Sequence, residues 1–254
     1  MQIDQHKCSV AVVIPCLNEA IPIAGVVHEV LAEGVDCVIV VDNGSTDDTA
    51  RVAAAAGAAV VSEPRRGYGR ACAAGIAAAP PETDIICFLD GDGSDVPTFM
   101  RAVIGPIARD DADFVMGSRL SGRREAGSMM PQQLVAGRLA GMLMRIKYGV
   151  KFTDMSPFRA MRLTRLRALG MSEQTFGWNL EMQMRAAAGR LRVVEIPVDH
   201  RCRRGGVSKV SGNPAEGMKA AWKIATTFVR LSASLKADII VGNSGTSQPE
   251  RKTP

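Results

Sequence analysis

The stretch Ile85-Ile86-Cys87-Phe88-Leu89-Asp90-Gly91-Asp92-Gly93-Ser94-Asp95-Val96-Pro97 passes in one step from an apolar run to carboxylates spaced two apart. A short apolar run bounded by glycine and proline reads as a buried strand. Residues i and i+2 of extended backbone point to the same side. Asp90 and Asp92 can therefore converge beyond the strand end, with Gly91 leaving room for a ligand. Paired hard oxygens suit a divalent cation whose other positions are filled by phosphate oxygens. The same residues also fit a solvated turn into a helix that starts near Pro97, with Asp95 as its cap. An EF-hand loop does not fit: counted from Asp90, glycine and glutamate are required where Asp95 and Arg101 stand.

Outward from this stretch, strands and helices alternate. Residues 9–15, 35–42, 58–62, 84–90 and 112–117 read as strands, and 20–33, 47–56, 70–79 and 97–109 as helices. Helical spacing is clearest at Ile23, Val26, Val27, Val30 and Leu31. Strands apolar on both faces, alternating with helices, predict an α/β fold with a mostly parallel sheet covered on both sides. Ligands in such folds bind beyond the carboxyl ends of the strands. Asp42 and Asp90 both stand there, as candidates for one crevice.

The second half is less regular. A glycine- and charge-rich loop at 119–133 precedes a helix at 134–148 and a connection or strand at 152–156. A helix at 177–188, a strand at 191–198, a basic glycine-rich loop at 200–213 and a helix at 214–235 follow. Residues 1–235 are expected to form one domain, and the polar residues 236–254 a flexible tail.

Composition narrows the function classes. The 254 residues are 46% hydrophobic, enough for a substantial core, and only 4% aromatic. A formal charge of +5 suits anionic substrates or a membrane surface, but without a recognisable module it does not indicate nucleic acid. None of the six cysteines forms a Cys-x-x-Cys pair, so they read as small buried hydrophobes of a reducing compartment. Three histidines argue against a histidine-rich metal centre. The residues ahead of Ser9 do not form a hydrophobic leader, and no apolar run reaches the roughly 18 residues of a membrane span. A cytoplasmic protein, soluble or peripheral at the membrane, is expected.

Seven segments in order carry a family resemblance: VVIPCLNEA (12–20), VVDNGSTDDT (40–49), GYGRACAAG (67–75), FLDGDGSD (88–95), GSR (117–119), TDMSPFRAM (153–161) and EIPVDHRCRRGGVSK (195–209). Over about residues 10–211 the chain resembles the family 2 glycosyltransferases, in particular the dolichyl- or polyprenyl-phosphate mannosyl- and glucosyltransferases. The resemblance implies a single GT-A-type nucleotide-sugar-binding domain, with a nucleotide half near 8–118 and an acceptor-side half near 119–235. It implies inverting transfer of a hexose from a UDP- or GDP-sugar to a polyprenyl phosphate, with Mg2+ or Mn2+. Transfer to a soluble hydroxyl, or a non-catalytic nucleotide-sugar-binding module, are the alternatives. A sugar nucleotidyltransferase fits less well, because its glycine-rich basic loop is replaced by Pro15 to Glu19.

The resemblance also assigns residues. Asp92 would ligate the metal with Asp90 beside it, and Ser94 stands where such enzymes often carry glutamine. Pro15, Leu17, Glu19 and Asp42 would hold base and ribose, and the turn from Arg65 and Arg66 to Gly69 would lie over the nucleotide. Arg203, Ser208 and Lys209 would close on the diphosphate. Asp154 matches a functional carboxylate, and Arg119, Arg138 and Arg159 are candidates to hold an anionic acceptor, Arg119 first. A lipid phosphate is already ionised near neutral pH, so no strong general base is required. Glu181 is a weaker candidate, with a buried ion pair as the alternative. The last helix, with Trp222, Phe228 and Val229 near Lys219, Lys223 and Arg230, fits either peripheral contact with a membrane or packing on its own domain.

Overall fold

The structure, a computed structural model, describes residues 8–205, 222 and 225–234. Its strands are β1 (Val10–Cys16), β2 (Cys37–Asp42), β3 (Ala59–Ser62), β4 (Ile85–Phe88), β5 (Phe114–Ser118), β6 (Arg159–Arg162) and β7 (Val193–Pro197). They form one seven-stranded sheet in the order β3-β2-β1-β4-β6-β5-β7. Only β6 runs antiparallel to its neighbours; the other pairs are parallel. The helices are α1 (Ile23–Ala32), α2 (Thr49–Ala55), α3 (Tyr68–Ala77), α4 (Met100–Ala108), α5 (Pro131–Tyr148), α6 (Leu163–Ala168) and α7 (Trp178–Ala188). The expected mostly parallel α/β sheet is thus observed.

The period of two along each strand divides the core between two layers. Ala11, Val13, Ile39, Val41, Ile86 and Phe88 face one layer, covered by α3, α5, α7 and the helical residues 225–234. Val12, Ile14, Val38, Val40, Ile85 and Cys87 face the other, under α1, α2 and α4. Both faces of the central strands are buried, which is why these strands read as unbroken apolar runs. All six cysteines are free thiols.

Two alternatives left open by the sequence are decided. Residues 152–156 are a connection, and the strand is Arg159–Arg162, whose alternation of arginine with Ala160 and Met161 hid a fully packed position from a hydrophobicity reading. The short α6 begins directly at the end of that strand and offers too few residues to establish a period. At the other end, Phe228 and Leu231 are buried in the core layer, with the Lys147 ammonium 5.8 Å from the Phe228 ring, so the helical residues 225–234 pack on the domain. Trp222 and Val229 remain exposed.

A contact in α3 sets the geometry of the site. A Cβ on Gly75 would lie 2.3 Å from Val13 Cγ1 and 3.1 Å from Val41 Cγ2, so the helix rests directly on β1 and β2. This close approach brings Tyr68, at the start of α3, over the strand ends. Gly75→Ala is expected to destabilise the fold by about 1–3 kcal/mol through overpacking. The measurement is a lower urea midpoint at an unchanged m-value.

Candidate active site

The carboxyl ends of β1, β2 and β4 open into a cavity of about 440 Å³. Its walls include Pro15, Leu17 and Glu19 after β1, Asn43 after β2, Arg66 to Tyr68 before α3, Asp90 to Asp92 after β4, and Arg203 from the basic segment. Gln133, Thr175 and Phe176 also line it. Residues far apart in sequence meet there because parallel strands deliver all their carboxyl ends to one edge.

The two carboxylates of the opening motif both reach this cavity, but Gly91 has a different role from the one expected. A Cβ there would lie 2.4 Å from Cys16 Sγ, so glycine lets the turn pack against β1. Asp95 does not cap the following helix. It is buried, and its Oδ2 accepts the Asp90 N–H at 3.0 Å, closing the turn on itself. Ser94 is buried too, its N–H donates to Asp92 Oδ1 at 2.9 Å, and it lies outside the cavity lining. The turn is held by its own carboxylates.

These acids strain one another electrostatically. Burial, then the charges of Asp95 and Asp92, push Asp90 well above the ordinary carboxylate range, while the Tyr68 hydroxyl donates to its Oδ1 at 3.3 Å. Burial raises Asp95 to about 6. Its Oδ1 is buried without a hydrogen-bond partner, 3.8 Å from His200 Nδ1, which likewise has none. Burial, then the charge of Arg119, lowers His200 to about 4, so the imidazole is neutral at pH 7. His200 was not singled out by sequence: a lone histidine in a basic loop carries no spacing signal.

Around the cavity, polar side chains hold the loops. Asn43 Nδ2 donates to the carbonyls of Glu63 and Arg65, and its Oδ1 accepts the Gly67 N–H at 2.7 Å. This fixes the basic turn, with Arg66 on the cavity and Arg65 paired outward to Glu63. Asp42, the expected nucleotide contact, instead accepts the Ser45 N–H at 3.0 Å and lies outside the lining, its neighbour Asn43 taking the place at the cavity. Gly69 is also outside: a Cβ there would lie 2.1 Å from the Glu173 carbonyl oxygen, so it serves helix-to-loop packing. Arg203 enters the cavity and donates to both oxygens of Glu19, at 2.9 and 3.1 Å. Ser208 and Lys209 lie outside the described residues.

The predicted acceptor arginines separate. Arg119 grips Asp154 in a fork, with Nε and Nη2 each 2.8 Å from a carboxylate oxygen. Asp154 is 2% exposed and also accepts the backbone N–H groups of Arg119 and Met155. Burial disfavours its charge, yet the Arg119 contact holds it below the ordinary carboxylate range. A carboxylate so occupied is no general base. Arg159 is 1% exposed, bonded to the carbonyls of Asn179 and Ser156, and burial lowers it to about 10; it is sealed beneath the site rather than open to an acceptor. Arg138 is exposed on α5 and outside the cavity lining. Glu181 is fully buried, paired with Arg185 at 2.9 Å and capped by Ser172 and Glu173, a structural ion pair.

Among the described residues no group of three or more His, Cys, Asp and Glu side chains is placed to hold a metal ion. No described helix is long and apolar enough to cross a membrane.

Comparison with known proteins agrees with this architecture. An uncharacterized glycosyltransferase of Mycobacterium tuberculosis is 40% identical over 206 residues, covering 81% of this chain and 91% of the relative. The UDP-N-acetylglucosamine–dolichyl-phosphate N-acetylglucosaminyltransferase of Methanococcus voltae is 26% identical over 73% of this chain and 83% of its own length. Among solved structures, glucosyl-3-phosphoglycerate synthase of Mycobacterium tuberculosis, in complex with Mn2+, UDP-glucose and phosphoglyceric acid, superposes with a TM-score of 0.69 at 24% identity. That match covers 89% of this chain and 80% of the synthase and establishes a shared fold. The profile of glycosyl transferase family 2 matches residues 11–170, and the chain belongs to that family as a glycosyltransferase.

Proposed function

We propose that the cavity takes a nucleoside diphosphate sugar together with Mg2+ or Mn2+, and that the enzyme transfers the hexose with inversion to a polyprenyl phosphate. The observation that carries this reading is the pairing of opposite charges on one cavity: Asp90 and Asp92 beside Arg203 and Arg66. Such a cavity fits a ligand that brings both a cation and a diphosphate. The donor set fits a shared cation and not a protein cage, since Mg2+ is commonly held by one or two carboxylates plus substrate phosphates. The buried, unpartnered Asp95 Oδ1 and the raised Asp90 mark an acidic cluster that a cation would relieve. The bound Mn2+ and UDP-glucose of the synthase structure support the donor class, and the dolichyl phosphate in the name of the Methanococcus relative supports the acceptor class.

In this reading Asp92 and Asp90 hold the ion, which when bound neutralises charge on the departing diphosphate. Pro15 and Leu17 flank the base. Arg203 exchanges Glu19 for the diphosphate, and Arg66 approaches from the opposite loop. Ser208 and Lys209 complete the basic segment. Asp42 and Gly69 act indirectly, by shaping the loops that carry Asn43 and Tyr68. The Arg119–Asp154 pair is neutral as a whole and takes no part in proton transfer; within it the fixed Arg119 guanidinium favours the charged forms of Asp90 and Asp95. A phosphate nucleophile needs no base, which agrees with a His200 lowered to about 4, a weak proton acceptor, and an occupied Asp154. Phe176, 59% exposed at the cavity rim with Gln133 and Thr175, offers an apolar lip for a prenyl chain.

The second reading, a soluble acceptor, draws on the phosphoglyceric acid bound by the synthase. Incubation with labelled UDP- and GDP-hexoses, offering a short-chain polyprenyl phosphate and soluble hydroxyl acceptors side by side, separates the two. Label in the lipid phosphate is the expected result. Label on the hydroxyl acceptor alone replaces the acceptor class.

A further inference from the structure

The basic segment Arg201-Cys202-Arg203-Arg204 divides its labour. Arg203 turns into the cavity, while Arg201 and Arg204 are outside the cavity lining. Those two grip the Asp92-to-Ser94 turn through three successive carbonyls. The Arg204 N–H donates to the Asp92 oxygen at 2.9 Å, Arg201 Nε to the Gly93 oxygen at 2.7 Å, and the Arg201 N–H to the Ser94 oxygen at 3.0 Å. The stem of Arg204 lies against Gly93, where a Cβ would stand 3.2 Å from both its Cγ and its Cδ. Gly93 has φ +77°, a backbone state that suits glycine, so the turn is specific in shape.

Both arginines end on one carboxylate. Arg201 Nη2 donates to Glu29 Oε2 and Arg204 Nη1 to Glu29 Oε1. Glu29 belongs to α1, is 32% exposed, and does not line the cavity. One carboxylate on a rigid helix thereby anchors both guanidinium groups, and through them the segment whose two backbone N–H groups, with Arg201 Nε, hold the carbonyls of the turn.

We infer that Glu29 is a positioning residue for cation binding at Asp92, acting through Arg201 and Arg204, which are staples rather than diphosphate ligands. The inference rests on the reading of Asp92 as the metal ligand. Partners one layer behind a ligand typically change metal affinity by about 10–100-fold when lost. Glu29→Gln keeps the shape of the side chain and removes the charge that both guanidinium groups share.

The test is Mn2+ binding in the presence of UDP, followed by electron paramagnetic resonance, on wild type, Glu29→Gln, Glu29→Asp and Asp92→Asn. Glu29→Gln is expected to bind Mn2+ about 10-fold more weakly. Its kcat at saturating Mn2+ and its melting temperature without ligand are expected to stay at the wild-type values. Glu29→Asp, which keeps the charge, is expected to bind more tightly than Glu29→Gln. Wild-type Mn2+ affinity in Glu29→Gln, a loss matched by a lowered melting temperature, or the reverse order of the two variants would each overturn the inference. Undiminished Mn2+ binding in Asp92→Asn would remove the metal reading itself, and this inference with it.

Discussion

Asp92→Asn is expected to lower release of nucleoside diphosphate from the donor by about 10³-fold while leaving the fold intact. The size follows from several kcal/mol of charge stabilisation supplied through a catalytic cation, at about 1.4 kcal/mol per tenfold in rate. The intact fold follows from geometry. Asp92 Oδ1 accepts the Ser94 N–H at 2.9 Å, and an asparagine oxygen can accept the same bond. Its amide lacks the charge that attracts the cation. Ser94→Ala is expected to change turnover little, because that residue lies outside the cavity lining. Steady-state release of UDP or GDP against Mn2+ concentration checks both variants, and wild-type release by Asp92→Asn would contradict the assignment.

Arg119→Met is expected to be the most destabilising single change at the site, by about 3–5 kcal/mol. It removes the fork that compensates Asp154, a carboxylate 2% exposed, and leaves a buried charge unpaired. The pH dependence has a definite sign. In wild type the folded state holds Asp154 below its unfolded value of about 3.9, so the pair contributes stability above that pH and loses it as the pH falls. In Arg119→Met the two backbone N–H bonds to Asp154 remain, but burial, the largest influence, loses the guanidinium that offsets it and raises the folded value, so the variant is expected to recover relative stability on acidification. Arg119→Met combined with Asp154→Leu is expected to regain much of the loss, because no charge is then left buried. Urea unfolding at pH 7 and pH 5 measures all of these. Single variants as stable as wild type would show that the pair contributes nothing.

Much of this organisation was legible in the chain. The apolar runs ending at Cys16, Asp42 and Phe88 gave away the parallel sheet because both faces of those strands are buried. Asp90 and Asp92 do share one cavity with Pro15, Leu17, Glu19 and Arg203, although β4 ends at Phe88 and a turn, not the extended backbone expected, brings the two carboxylates there. The misses share a physical cause. Asp42 and Asn43 are adjacent, and only the turn geometry after β2 decides which one faces the cavity. Arg159 resembles a surface cation by type, but an antiparallel strand inserted between β4 and β5 buries it completely. Thr175, Phe176 and His200 reach the site from loops whose position depends on tertiary packing. Glu29 sits on the solvent-side spacing of an amphipathic helix, where a glutamate looks ordinary until its two arginines are seen.

The most direct test of the account is the thermal stability of the full chain with UDP- and GDP-sugars, each with Mn2+ and with excess chelator. A ligand at about 100 times its Kd adds about 2.7 kcal/mol to the folded state, or roughly 5–10 °C in melting temperature for a chain of this size. The account predicts a shift of that order for at least one nucleotide sugar with Mn2+, its loss in chelator, and its loss in Asp92→Asn. No shift with any nucleotide sugar, or the same shift in chelator, would contradict it.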